Sequence, residues 1–195
     1  MNIVIEEIGA DRYSLYDGIP ARYTVESVFK VEVLDGGLGG FRLAEEKVAT
    51  PYIKDYDGHG EHRPSRWASE FDMSRWGILL ARDGERHVGG AAIAVGTAVY
   101  PLDRFQRNDL AVLWDIRVTP EERGRGIGRR LFRAAAGWAR ERGFGQLGLE
   151  TQSVNVPACR FYSSAGCELG AIHRYGYVGC PEVAHEAMLL WYLEL

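Results

Sequence analysis

A chain of 195 residues suits one domain, here taken as 1–195, and 46% hydrophobic with 26% charged residues excludes long disorder and fibrous repeats. A net charge of -4 works against nucleic-acid binding, which draws its affinity from excess Lys and Arg on phosphates. Cys159, Cys167 and Cys180 form no CxxC pair, residues 1–10 lack a secretion signal's basic start, and the most apolar stretch, 89–102, is too short to span a bilayer, so a reduced, cytoplasmic protein with no membrane partner is expected.

Residues 2–8 alternate as an opening strand, and 28–34 with 41–48 flank the turn Asp35-Gly36-Gly37-Leu38-Gly39-Gly40 as a hairpin. From 50 to 66 the chain carries Pro, Gly, His and charge without a period, which predicts a long loop leading into a short helix near 65–71. Within that loop Tyr52, Asp55 and Tyr56 join aromatic faces to a carboxylate, a combination suited to a cationic amine. His59 and His62 with Glu61 have no further ligand in sight, and no metal is expected.

Residues 76–82 and 87–100 predict a second hairpin through Asp83-Gly84-Glu85-Arg86, and 110–118 a further strand. After Thr119-Pro120 the period changes to 3.6. Ile127, Leu131, Ala135, Trp138 and Ala139 then fall on one face of a long helix that Gly143 stops. A buried strand at 144–151, a helix at 156–165 opened by Pro157 and closed by Gly166, and strands at 167–172 and 186–193 complete an α/β (α+β) chain.

The strand, Gly-rich turn and helix around Arg123-Gly124-Arg125-Gly126-Ile127-Gly128 set backbone N–H groups at the positive end of a helix dipole, which is an anion site. Arg129, Arg130 and Arg133 add positive charge nearby. The dinucleotide pattern GxGxxG fails at Arg129, where its third glycine is required, and no Gly-Lys-Ser/Thr ends the turn as a triphosphate loop would need. Downstream stands Asn155-Val156-Pro157-Ala158-Cys159-Arg160-Phe161-Tyr162, closed by Gly166.

These two segments resemble the two signatures of the GNAT acetyltransferases: Gln or Arg, two residues, Gly, one residue, Gly or Ala, filled by Arg123, Gly126 and Gly128, and the later Asn, Ala and Tyr. The stretches Glu150-Thr151-Gln152 and Trp191-Tyr192-Leu193 are further similar to the streptothricin acetyltransferase branch. The resemblance implies a GNAT fold, with a mixed, mostly antiparallel central sheet and helices on both faces, and acetyl-CoA as acetyl donor. It implies that the donor is held by Ile116, Arg117 and Val118 of one strand, by Arg123, Gly124, Arg125, Gly126, Ile127, Gly128 and Arg129, and by Asn155, Ala158 and Tyr162. Tyr162 would protonate the CoA sulfur.

Acetylating an amine also needs a base. Asp115 and Glu150 are the candidates, since each is a carboxylate inside an otherwise apolar strand where it needs a partner or a purpose. The alternatives are an ion pair of Asp115 with a nearby arginine and a structural hydrogen bond for Glu150. The streptothricin branch tends to pair two acids on the strand before the turn; here Trp114 precedes Asp115, which makes Trp114 a candidate substrate contact and leaves a dicationic acceptor open. Cys159 has no histidine near it and is read as structural. The expected reaction is acetyl transfer to a primary amine of a small cationic substrate such as streptothricin or a β-lysine compound. A protein N-terminal or lysine acetyltransferase and a non-catalytic acyl-CoA sensor are the rivals, and a homodimer stays open.

Overall fold

The computed structural model describes residues 2–58, 63–96 and 107–195. Seven strands form one sheet: β1 (Ile3–Glu7), β4 (Gly77–Asp83), β5 (Arg86–Ala94), β6 (Leu110–Val118), β7 (Gln146–Gln152), β8 (Glu168–His173) and β9 (Met188–Glu194). Their order across it is β1-β4-β5-β6-β7-β9-β8. The pairs β1–β4, β4–β5, β5–β6 and β8–β9 are antiparallel. A second sheet consists of β2 (Arg22–Val33) and β3 (Phe41–Asp55). The helices among the described residues are α1 (Ser14–Asp17), α2 (Pro64–Glu70), α3 (Ile127–Glu141) and α4 (Val156–Ser164), with single 3-10 turns between other elements. The chain divides into two compact units.

The first unit comprises Met1–Tyr23, Asp55–Gly148 and Glu194–Leu195. β4 and β5 read as almost unbroken apolar runs because they are buried on both faces, and Leu80, Ala91, Ala92 and Ile93 have no exposed surface. α3 packs on these strands through the 3.6-period stripe, in which Leu131, Ala135 and Ala139 are fully buried. α2 begins with Pro64 at its first turn, and Asp17 accepts hydrogen bonds from the Ser65 N–H at 2.9 Å and from its hydroxyl. The register of β5 on β6 slips by one residue between Ala92, opposite Asp115, and Ile93, opposite Leu113. Trp114 is the extra residue of that bulge, which bends β6 just before its polar stretch.

The second unit comprises Thr24–Lys54 and Leu149–Leu193. Here the structure corrects the long loop expected at 50–66, because β3 runs unbroken through Pro51 to Asp55. Proline argued for a loop, since it cannot donate to a ladder; in a two-stranded sheet each strand has an unpaired edge, where a missing N–H costs nothing. The tight connection of β2 to β3 uses left-handed backbone at Gly36, Gly37 and Gly40, as its glycines predict. β5 ends at Ala94, well short of the strand expected over 87–100; residues 97–106 lie outside the described ones, as do His59, Glu61 and His62. Among the described residues no cluster of His, Cys, Asp or Glu suits a metal ion, and no helix is long and apolar enough to cross a membrane.

Candidate active site

In the first unit β6 leaves the sheet at Val118 and passes through a 3-10 turn, Pro120–Glu122, into the glycine turn. Gly124 and Gly126 take left-handed backbone, with φ of 75° and 81°, and a Cβ added at either meets nothing within 4 Å. The turn needs glycine for its backbone, and the space over it is open. α3 starts at Ile127, and the first N–H groups of a helix have no acceptor within it, so the main chain here fits a pyrophosphate.

Three of the arginines, Arg123, Arg125 and Arg130, are held by protein oxygens. Arg123 donates to the carbonyls of Val118 at 3.0 Å and Arg22 at 2.6 Å, and Arg130 donates to the carbonyl of Ile3 at 2.6 Å. Arg125 pairs with buried Glu122, which also accepts from Arg86 at 2.9 Å. These side chains brace the turn. What the turn offers an anion is chiefly its amides.

Asp115 is fully engaged. Arg117 donates to both of its oxygens, Nε to Oδ1 at 2.9 Å and Nη2 to Oδ2 at 2.7 Å, and the hydroxyl of Tyr16 donates to Oδ1 as well. The same guanidinium donates to Asp57 at 3.0 Å and to the carbonyl of Ile19 at 3.1 Å. Burial works against the charge of Arg117, but Asp115, Tyr16 and Asp57 outweigh it and hold the guanidinium above its usual range. Burial and the neighbouring Asp115 keep the Tyr16 phenol protonated far above its ordinary value. Gly90 makes this possible: a Cβ there would lie 2.4 Å from the Tyr16 ring.

The ion pair weighed for Asp115 is therefore present, and its partner is Arg117. Two residues apart on a strand, the two share a face, a signal the sequence did contain. Tyr16 and Asp57 come from distant segments and carry no such signal. Trp114 packs in an aromatic cluster, with ring centroids 5.2 Å from Phe71, 5.7 Å from Trp76 and 6.4 Å from Trp67. Asp55 accepts the Asp57 N–H at 2.9 Å, and the Tyr56 ring lies 6.0 Å from that of Tyr23.

In the second unit Glu150 stands on β7 with the hydroxyl of Tyr177 donating to it. Burial drives its carboxyl up to about 7; the Tyr177 hydrogen bond opposes this, the charge of Glu186 adds to it and Lys54 subtracts. Tyr177 and Glu186 escaped the sequence reading, the first in aperiodic glycine-rich text and the second as the polar start of an expected strand. Asn155 caps α4 by accepting the Ala158 N–H at 3.2 Å, which occupies that amide. Tyr162 is buried on α4, its ring 5.3 Å from that of Phe161. Cys159 and Cys167 are buried and Cys180 is exposed. Burial pushes the Cys159 thiol up to about 12, so it is no nucleophile. A cavity of about 520 Å³ in this unit is lined by Phe29, Tyr52, Ser153, Val154 and Ala187 with the basic Lys30, Arg174 and His185.

A strand that bulges, turns through left-handed glycines and opens a helix, followed by an asparagine-capped helix bearing a buried tyrosine, accounts for both signature segments. Residues 43–167 match the acetyltransferase (GNAT) family. The chain belongs to the GNAT family. It is 31% identical over 176 residues to a streptothricin acetyltransferase of Streptomyces lavendulae, across 89% of this chain and 86% of that protein. It is also 38% identical over 154 residues to streptothricin acetyltransferase A of Bacillus subtilis (strain 168), across 79% of this chain and 80% of that one. The fold is similar to the crystal structure of nourseothricin acetyltransferase, with a TM-score of 0.76 at 25% identity over 100% of this chain and 99% of that one. As a GNAT protein the chain is an acetyltransferase, and acetyl-CoA is the acetyl donor of this family.

Proposed function

We propose that this GNAT enzyme acetylates a primary amine of a small cationic acceptor, streptothricin or a related β-lysine compound. The name shared by the curated relatives supports the acceptor class. The observation that carries the chemistry is Glu150, a carboxyl held near 7 on an apolar strand, where a general base for an ammonium is most effective. Asp115, locked to Arg117, is the poorer base and serves the architecture instead.

In this reading Glu150 takes the proton from the acceptor ammonium, freeing the nitrogen lone pair to attack the acetyl carbonyl carbon. The carbon–sulfur bond of the thioester would then break, the departing sulfur taking the proton of the Tyr162 hydroxyl and the acetylated nitrogen returning its second proton to that oxygen. The amides of Gly124, Arg125, Gly126, Ile127 and Gly128 would hold the pyrophosphate, and the backbone of Ile116–Val118 would hold the pantetheine arm. The chemistry that acetyl-CoA supplies when bound is an activated acetyl thioester.

Release of CoA across a panel of streptothricin, polyamines, lysine and peptides tests the acceptor. Turnover of streptothricin is expected; acetylation of peptides alone overturns the reading in favour of a protein acetyltransferase, and silence across the panel favours a sensor. Tyr162→Phe is expected to keep acetyl-CoA binding while kcat falls about 100-fold, the usual scale of a lost acid. An unchanged kcat removes that role.

A further inference from the structure

Glu186 is the side chain of the second unit that the chemistry above leaves unused. It is 3% exposed, just ahead of β9, and its backbone is pinned. Its N–H donates to the carbonyl of Val183 at 2.9 Å, and the next residue, Ala187, donates to Ser153 Oγ at 3.0 Å and accepts the Ser153 N–H at 2.8 Å. Glu186 Oε1 takes the ammonium of Lys54, from β3, and His185 Nε2 stands 3.9 Å from the same oxygen. Oε2 is buried and accepts no hydrogen bond among the described residues.

A carboxylate accepts up to about four hydrogen bonds, and a buried oxygen without a protein donor is costly unless a ligand or solvent supplies one. Glu150, Tyr177 and Tyr52 all feel its charge, and Glu150 feels that of Lys54 as well. The neighbouring cavity, with Lys30, Arg174 and His185 in its wall, does not suit an ammonium. Tyr52 lines that cavity, is 41% exposed and feels the Glu186 carboxylate.

We propose that Glu186 is the specificity-determining residue of this acetyltransferase, taking a second ammonium group of the acceptor on Oε2 while Lys54 stays on Oε1. The enzyme then prefers diamines, one nitrogen going to Glu150 for acetylation and the other to Glu186. The idea rests on the small-amine reading above.

Steady-state kinetics with cadaverine and n-pentylamine test it, KM and kcat read separately. The parent enzyme is expected to show a KM for cadaverine about ten-fold or more below that for pentylamine, the scale of one charge-assisted hydrogen bond. Glu186→Gln should raise the cadaverine KM by a similar factor and leave the pentylamine KM alone, while any change in kcat, from the charge lost beside Glu150, is common to both amines; Glu186→Asp should restore part of the KM preference. Lys54→Met, which removes the resident cation, should lower the cadaverine KM and serves if the Glu186 variants do not fold. An equal effect of Glu186→Gln on the two KM values, no effect on either KM, or a higher cadaverine KM in Lys54→Met overturns the role of Glu186. A parent that acetylates neither amine, nor streptothricin, overturns the small-amine reading itself.

Discussion

Asp115 and Glu150 look alike in sequence, each a single acid in an apolar strand, yet they behave as opposites. Asp115 meets a guanidinium two residues along its own strand, and a buried pair of this kind is costly to break because it strands the remaining charge. Asp115→Ala should therefore lower unfolding stability by about 3–5 kcal/mol in urea titration. An Asp115→Ala protein with parental stability but lost turnover would return Asp115 to the role of base. Glu150 accepts from the Tyr177 hydroxyl, and burial raises its carboxyl from 4.5 to about 7. Below pH 4.5 it is protonated whether the chain is folded or not, and it contributes nothing to pH dependence.

Between those values the unfolded chain has released the proton while the folded chain holds it, so stability falls as pH rises, by at most about 3 kcal/mol above pH 7. Glu150→Gln removes that loss. The Tm of the variant relative to the parent should climb between pH 4.5 and 7 and level off above; a flat difference contradicts the raised carboxyl. In the parent, kcat/KM should rise with pH through about 7 as the base ionises, and Glu150→Gln should lose that limb.

At the scale of elements, the helices and central strands were legible because burial imposes a period. α3 begins and is stopped where its stripe and Gly143 indicate, and β6 spans the very residues expected, 110–118. Two kinds of element were not legible. α1 has four residues, too few to display a period, although it delivers Tyr16 to Asp115. β3 hides behind Pro51, which weighs against a strand only where both edges are paired. The glycine turn was recognisable by spacing, but its arginines were not, since charge alone does not say that Arg123 and Arg130 will be spent on backbone carbonyls. Gly126→Trp should cost free Tm a few degrees, because a side chain at φ 81° is strained by about 1–2 kcal/mol, and should abolish the thermal shift given by acetyl-CoA. A retained shift would place the pyrophosphate elsewhere.

For the whole molecule, a ligand that binds only the folded chain raises its stability by mass action, about 2.7 kcal/mol at a concentration of 100 Kd. For 150–250 residues this corresponds to a Tm rise of about 5–10 °C with saturating acetyl-CoA. No shift would contradict donor binding. Family membership follows from a match over 43–167, whereas the residue proposed above to choose the acceptor, Glu186, lies outside that match. That separation is why the anion site could be read from spacing and the donor from the resemblance, while the proposal for a second amine rests on the packing ahead of β9.

All three cysteines are free, and only Cys180 is exposed. A disulfide reagent that colours with thiols should thus find about one reactive equivalent per folded chain, against which each mole of CoA released is counted. If the baseline drifts toward three during an assay, the protein is opening around Cys159 in α4 and Cys167 ahead of β8, and the colour is measuring loss of fold rather than turnover.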